Sequence, residues 1–372
     1  MKFICEKEKL LKAINSVVKA ASSRTTLPIL EGILIQTNDQ EIKLTTYDLE
    51  LGIEYIIECD VEEQGNTVVN ATMFSEIIRK LPEADIKITL NEKDLLVIEC
   101  QGSLYKLSTM NPVEFPELPV IDVENSVELD QNTLKNMIRK TIFAVSIEEN
   151  RPIFTGCLFE ILNNKINVVA VDGFRLSLKS NFLENSANNF SAVIPGKTLN
   201  EVNKIISDSF DKIKISVSKN QALFEMENCK IVTRLLDGEF LKYDNVIPKT
   251  WETRIRVNKK DLQECFERVS LISMSSIEKE RKYPVRVSIE IGKAIISCTN
   301  QAGDAKEEIL VTTEGKNVEA GFNPKYFLDA LKVIDDEEIY VDFGSSISPC
   351  IIRPVDEDGS YLYMILPIKI QD

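Results

Sequence analysis

The sequence predicts an α+β protein built from three copies of one domain, each with two amphipathic helices packed on antiparallel strands. Three observations lead there. At 372 residues the chain exceeds one ordinary hydrophobic core, and roughly 100–200 residues per domain points to several. The order short strand, helix, strands, second helix, strands recurs three times. Between the helices, apolar and polar residues alternate as half-buried strands require.

The copies open at Lys2–Ser22, Val127–Ser146 and Ile255–Ser273. Leu10, Leu134 and Leu262 correspond in their first helices, as do Ile14, Ile138 and Phe266, at offsets of 124 and 128 residues. The same offsets relate Ile78, Val202 and Ala330, and then Leu81, Ile205 and Val333, in the second helices. In the first helix Leu10, Leu11, Ile14, Val17, Val18 and Ala21 form one stripe, with Lys9, Lys12, Ser16 and Lys19 opposite. One face is predicted to be buried and the other positive. Alternation predicts strands at Gly32–Gln36, Ile42–Thr46, Ile53–Glu58, Ile86–Leu90 and Leu95–Cys100, with Asn, Asp, Gly and Gln at the breaks. Pro-bearing stretches at Asn111–Pro119 and Asn245–Trp251 place the domains at about 1–121, 122–250 and 251–372.

Charge is unevenly spread. The six predicted helices together carry +10, which leaves −25 on the rest of a chain whose net charge is −15. Such segregation gives one surface suited to phosphates and another that repels them. It suits a channel.

Several function classes lose their central residues. There is no histidine, the commonest general base and a frequent ligand for transition metals. No G-x-G-x-x-G or G-x-x-x-x-G-K-[ST] fingerprint occurs. The eight cysteines form no C-x-x-C pair and read as small buried apolar residues in a reducing compartment. Asp335–Glu338 and Asp356–Asp358, acidic runs of the kind a metal-dependent nuclease uses, read as solvated loops. No catalytic residue, metal site or cofactor is expected. The opening MKFICEKEKLLK is charged too early for a secretory signal, and no apolar run is long enough for a membrane span. A cytoplasmic protein without a membrane partner is expected. A β-rich interaction array unrelated to DNA is the remaining competitor.

Certain short stretches carry a family resemblance. They are Ser23–Leu30 (SRTTLPIL), Asn150–Phe154 (NRPIF), Val171–Leu176 (VDGFRL), Phe322–Tyr326 (FNPKY) and Tyr363–Ile370 (YMILPIKI). In this order, over a threefold repeat, the whole chain resembles the bacterial DNA polymerase III beta subunit family, the sliding clamps. The resemblance implies a head-to-tail homodimer whose six domains form a ring around duplex DNA, with helices inside and sheets outside. It implies sequence-independent DNA contact through Arg24, with Lys12, Arg139, Lys140 and Lys197 as further candidates. It implies a pocket for a Leu/Phe-bearing peptide, through which the replicative polymerase alpha subunit, the clamp loader, other polymerases and repair proteins dock. Residue by residue, that pocket comprises Arg151, Ile153, Phe154, Val171, Gly173, Phe174, Arg175, Leu176, Leu241, Val246, Asn323, Tyr326, Met364, Leu366, Pro367, Ile368 and Lys369. Phe174 stands where many members have His, Leu241 where some have Pro, Asn245 where some have Arg, and Lys369 where Arg is common. The subunit contact it implies involves Tyr105 and Leu107 on the first domain and Leu271 and Ile272 on the third.

Overall fold

A computed structural model of the chain describes residues 1–22, 25–148, 150–184, 188–274, 284–356 and 360–370. Among them are six α-helices: α1 (Lys7–Val17), α2 (Ala71–Lys80), α3 (Gln131–Arg139), α4 (Gly196–Ile205), α5 (Lys259–Met274) and α6 (Pro324–Leu331). Each of the six falls where the repeat predicts one. The odd-numbered helices stop or continue according to local chemistry. α1 tightens into a 3-10 turn at Val18–Ala20, and α3 ends before a second such turn at Ile142–Ala144. At α1 the buried stripe is Leu10, Ala13, Ile14 and Val17. Ser16 departs from its predicted exposed position, because its hydroxyl donates to the Lys12 carbonyl at 3.0 Å and needs no water. Asn70 and Asn323 cap α2 and α6, their side-chain oxygens accepting from the amides of Met73 and Lys325.

Spatially the chain divides into two compact units, Met1–Gln131 with Lys204–Leu235, and Asn132–Asn203 with Leu236–Asp372. The first is built on a 13-stranded antiparallel sheet. Within it, Leu51–Glu58 joins Glu41–Tyr47 on one side and Cys229–Arg234 on the other, with Tyr55 opposite Cys229 and Leu51 opposite Thr233. The backbone ladder thus runs without a break from the first sequence repeat into the second. Strands 41–47 and 32–37 bury every second residue or better, as their alternation predicted, and 85–90 buries Ile86 and Ile88 but leaves Leu90 half-buried.

In the second unit the same device recurs. Its nine-stranded sheet places Arg175–Phe182 between Lys165–Val171 and Tyr361–Ile365, and then continues through Cys350–Pro354 and Glu338–Phe343 to Thr253–Asn258. Arg175 faces Ile365 and Lys179 faces Tyr361 across the junction. A four-stranded sheet completes the unit in the order Gly303–Leu310, Lys293–Asn300, Val285–Glu290, Val318–Phe322. α5 and α6 lie side by side, with Phe266 stacked on Phe327 at 4.4 Å between ring centres. All eight cysteines are free thiols, and seven are buried. Burial pushes Cys157, Cys229 and Cys265 up to about 12, so they remain neutral packing groups.

Candidate functional site

The Val171–Leu176 motif forms a tight hairpin, with Val171 directly opposite Leu176. Asp172 organises it: one carboxylate oxygen accepts from the amides of Phe174 (2.9 Å) and Arg175 (3.1 Å). Gly173 sits at φ +91, a backbone region that glycine enters without steric cost. The turn drives the two flanking side chains to opposite fates. Phe174 is 58% exposed and lies parallel to the Tyr326 ring at 6.4 Å. Arg175 is drawn inward.

Its guanidinium donates to Asp172 (2.9 Å), to Asp329 (2.7 Å) and to the Phe143 carbonyl (2.6 Å). It also lies 4.7 Å from the Tyr326 ring centre and 5.4 Å from that of Phe143. Burial pushes the Asp329 carboxyl up, but hydrogen bonds from Lys325 and Arg175 outweigh it and hold the group below its ordinary 3.8. Arg175 is therefore a fixed strut between the hairpin and α6. Tyr326 and Asn323 sit at the start of that helix, where Asn323 is already committed to the cap.

Beside the strut lies an apolar cluster. Val171, Leu176 and Met364 are buried in it, while Ile153, Phe154 and Leu241 pack against it half-buried. Leu176 and Met364 face each other across neighbouring strands. Phe154 meets Phe240 edge-on at 5.8 Å. The chain after Met364 closes one side: the Leu366 amide donates to the Phe174 carbonyl at 2.9 Å, and that of Ile368 to Gly321 at 2.8 Å. Gly321 is required there, since a Cβ would lie 2.8 Å from the Ile368 carbonyl oxygen. Val246 and Ile368 are each 39% exposed, and Arg151, Gly173 and Lys369 are also exposed, whereas Leu366 and Pro367 are half-buried. All seventeen expected pocket residues thus lie in the second unit, with six of them in one cluster.

Sequence reasoning missed Ile351 and Tyr243, both buried in the same cluster. Ile351 could have been found once Met364 was chosen, because it is Met364's cross-strand neighbour. The Tyr243 hydroxyl donates to Glu160 and accepts from Asn167, which ties down the segment bearing Leu241 and Val246.

The expected phosphate contacts divide. Lys12 on α1 and Lys197 on α4 are exposed. Arg139 is 39% exposed and paired with Asp335 at 2.6 Å. Lys140 departs from expectation: it is buried, 3.0 Å from Asp335, and lies over the Tyr361 ring at 5.1 Å. The Tyr361 ring lies against its head and the Asp335 carboxylate neutralises it, so it presents almost no ammonium to solvent. The Asp335–Glu338 run is correspondingly not a simple solvated loop, since Asp336 also accepts from Tyr361. Arg24 lies outside the described residues.

Of the residues expected at a subunit contact, Tyr105 is 43% and Leu271 69% exposed. Leu107 is 7% exposed and points into its own unit's core, and Ile272 packs against the core of the second unit. Leu104, which the sequence reading did not choose, is 56% exposed. The Ser103–Met110 strand pairs with Leu95–Cys100 along its length but with Gly65–Asn70 only at Thr109 and Met110. Its first residues therefore keep one open edge among the described residues. Gly303–Leu310 is likewise the outer strand of its sheet.

Comparison with known proteins agrees over the full length. Models of the N-terminal, central and C-terminal domains of the DNA polymerase III beta subunit match residues 1–119, 128–242 and 244–369. Beta sliding clamps of Bacillus subtilis (strain 168) and Staphylococcus epidermidis are each 34% identical over 381 aligned positions, covering 99% of this chain and 99–100% of theirs. The crystal structure of the Bacillus subtilis sliding clamp superposes with a TM-score of 0.94 at 33% identity, covering all of both chains. A Pseudomonas aeruginosa sliding clamp bound to griselimycin gives 0.94 at 27%, again over both whole chains. With three domain models in order and relatives matched end to end, the chain belongs to the DNA polymerase III beta subunit family, the bacterial sliding clamps.

Proposed function

We propose that this sliding clamp, a processivity factor with no catalysis of its own, acts as a head-to-tail homodimeric ring of six domains around duplex DNA. The observation that carries the ring is the repeat of one strand pairing. Leu51–Glu58 of the first copy pairs with Cys229–Arg234 of the second, and Arg175–Phe182 of the second pairs with Tyr361–Ile365 of the third. Shifting once more by the repeat offset leads from Arg175 to Gly303, and shifting back from Cys229 leads to Tyr105. Those two positions belong to the strands with open edges. The pairing left unmade within one chain is supplied by a second copy, the third domain of each subunit meeting the first domain of its twin. Exposed Leu104, Tyr105 and Leu271 would add apolar contact at that joint.

DNA contact in this reading is diffuse and electrostatic, through exposed cations such as Lys12, Arg139 and Lys197 and through Arg24. Weak contacts suffice, because topology prevents escape. Polymerase, clamp loader and repair proteins would share the apolar cluster around Leu176 and Met364, reached past Phe174 and Val246, through a Leu/Phe-bearing peptide. Burying one such side chain contributes roughly 1.5–3 kcal/mol before ordering costs, which suits an exchangeable partner. No helix among the described residues is long and apolar enough to cross a membrane, in keeping with action in the cytoplasm.

The decisive experiment loads the clamp onto nicked circular DNA with a bacterial clamp loader and then linearises the circle. Retention on the circle and release on cutting are expected, together with a solution mass of two 42.1 kDa chains. A monomer, or retention that ignores linearisation, refutes encirclement.

A further inference from the structure

A separate cavity of about 340 Å³ lies in the second unit, lined by Lys249, Trp251, Phe343, Ile351, Arg353 and Leu362 among others. The sequence builds it from two features. The Pro248–Trp251 segment leads into the Thr253–Asn258 strand, and a serine-rich turn follows Phe343, closed by the Ser348 amide donating to the Ser345 carbonyl. Ile351 and Leu362 belong to both the cavity and the apolar cluster that holds Leu176 and Met364.

The ladder gives the distance between them. Leu176, Met364, Ile351, Asp342 and Arg254 are successive cross-strand partners, so all five side chains lie in one row on one face. Asp342 is two strands from Met364, about 10 Å away at the usual strand spacing. An extended peptide covers that in about three residues.

At the far end of the row Arg254 and Arg353 meet Asp342 and, next across the ladder, Glu314, so the positive surplus at the cavity is that of Lys249. Asp342 is 6% exposed and accepts two bonds from Arg254, at 2.6 and 3.1 Å. Arg353 reaches the same carboxylate at 2.5 Å. Two guanidiniums thus share one carboxylate. Arg254 is further held between the rings of Trp251 and Tyr340, 4.6 Å from each. The Arg353 Nε is buried and has no hydrogen-bond partner. Lys249 is exposed on the cavity wall, while Glu252 on that wall pairs with Lys316 at 3.7 Å. The exposed part of the Arg353 side chain, 37% of it, and the Lys249 ammonium, beside aromatic and apolar walls, match a carboxylate on a short aliphatic stem.

We propose that this cavity receives an Asp or Glu side chain of the docking peptide, about three residues from the Leu/Phe anchor, and so ranks partner peptides by their acidic flank. The assignment rests on the peptide-docking reading above. It makes Arg353 a specificity residue, and it runs against the −15 charge of the chain, which disfavours acidic ligands in general.

The test uses fluorescence anisotropy with the full-length clamp and synthetic peptides that share Leu and Phe anchors. One peptide has neutral flanks, one carries Asp or Glu three and four residues after the anchors, and one carries them before. One acidic peptide is expected to bind about three- to tenfold more tightly than its amide twin at low salt. That preference should disappear in Arg353→Gln and return in part in Arg353→Lys, while the neutral peptide binds all three proteins equally. Because the peptide comparison on the unaltered protein involves no substitution, a folding defect cannot imitate the result. Equal binding of acidic and neutral peptides, or a preference that survives Arg353→Gln, overturns the assignment and leaves the docking reading standing. If no anchor peptide binds, the docking reading falls and takes this one with it.

Discussion

Leu176→Asp is the disruption that the sequence motif suggests for the docking site, and the structure predicts that it fails as a clean test. Leu176 is 1% exposed and sits among Val171, Met364 and Leu158. Removing a buried leucine costs about 2–5 kcal/mol. A carboxylate placed there would meet only apolar side chains, which adds several kcal/mol or forces the group to stay protonated. Against a typical total stability of about 5–15 kcal/mol, the second unit would be largely unfolded at 37 °C. Truncation from Met364 shares the defect, since it cuts into an interior strand. Phe174→Ala is different. Phe174 is 58% exposed and loses chiefly its stacking on Tyr326, about 0.5–1.5 kcal/mol. Its effect should fall on the ligand: a wall that helps bury one peptide Leu or Phe is removed, and peptide affinity drops about five- to tenfold. Urea denaturation and peptide anisotropy on the two variants separate these outcomes. A Leu176→Asp protein with an unchanged urea midpoint refutes the claim that this side chain is core. A Phe174→Ala protein that binds peptide normally refutes its place at the site.

Arg175→Gln should cost about 3–5 kcal/mol, because it leaves Asp172 and Asp329 without the buried cation that bridges them. Asp329 is held below 3.8, so its contribution is present above that pH and is lost as pH falls through the lowered pKa. Acid denaturation of Arg175→Gln should accordingly lose part of the wild-type slope below pH 3.8, and an identical slope would contradict the pairing. Lys179 is pulled down to about 8, first by burial and then by Lys140, with Asp336 and Asp335 opposing. Between about 8 and its ordinary 10.5 the unfolded chain holds more protons, so stability should rise with pH across that window. Lys179→Met should raise the melting temperature at pH 7 and flatten that rise, and a lowered melting temperature would show that the ammonium is stabilised.

What the sequence disclosed and what it withheld follow from the range of the forces involved. Helix periodicity is local, so all six helices were legible, and the +10 on their segments could be counted before any fold was known. Strand alternation is local too, which is why Ile42–Thr46 and Leu95–Cys100 emerge within a residue of their bounds. The junction pairing of Leu51–Glu58 with Cys229–Arg234 is invisible to any window, because nothing in a strand's own pattern names its distant partner. Lys140 shows the same limit for a charge. Residue type alone groups it with the cations Lys135 and Arg139, yet the helix ends at Arg139 and the following turn carries Lys140 inward to Asp335 and Tyr361. The motif pointed to Arg175 but not to Asp329 or the Phe143 carbonyl, which decide that it is a strut and not a free guanidinium. The same residue type therefore takes opposite roles on the two faces of one sheet: Arg175 is buried and donates to Asp172, Asp329 and the Phe143 carbonyl, whereas Arg353 shares its carboxylate with Arg254 and is 37% exposed. Only partner geometry separates an arginine that holds the site together from one with capacity left to recognise something else.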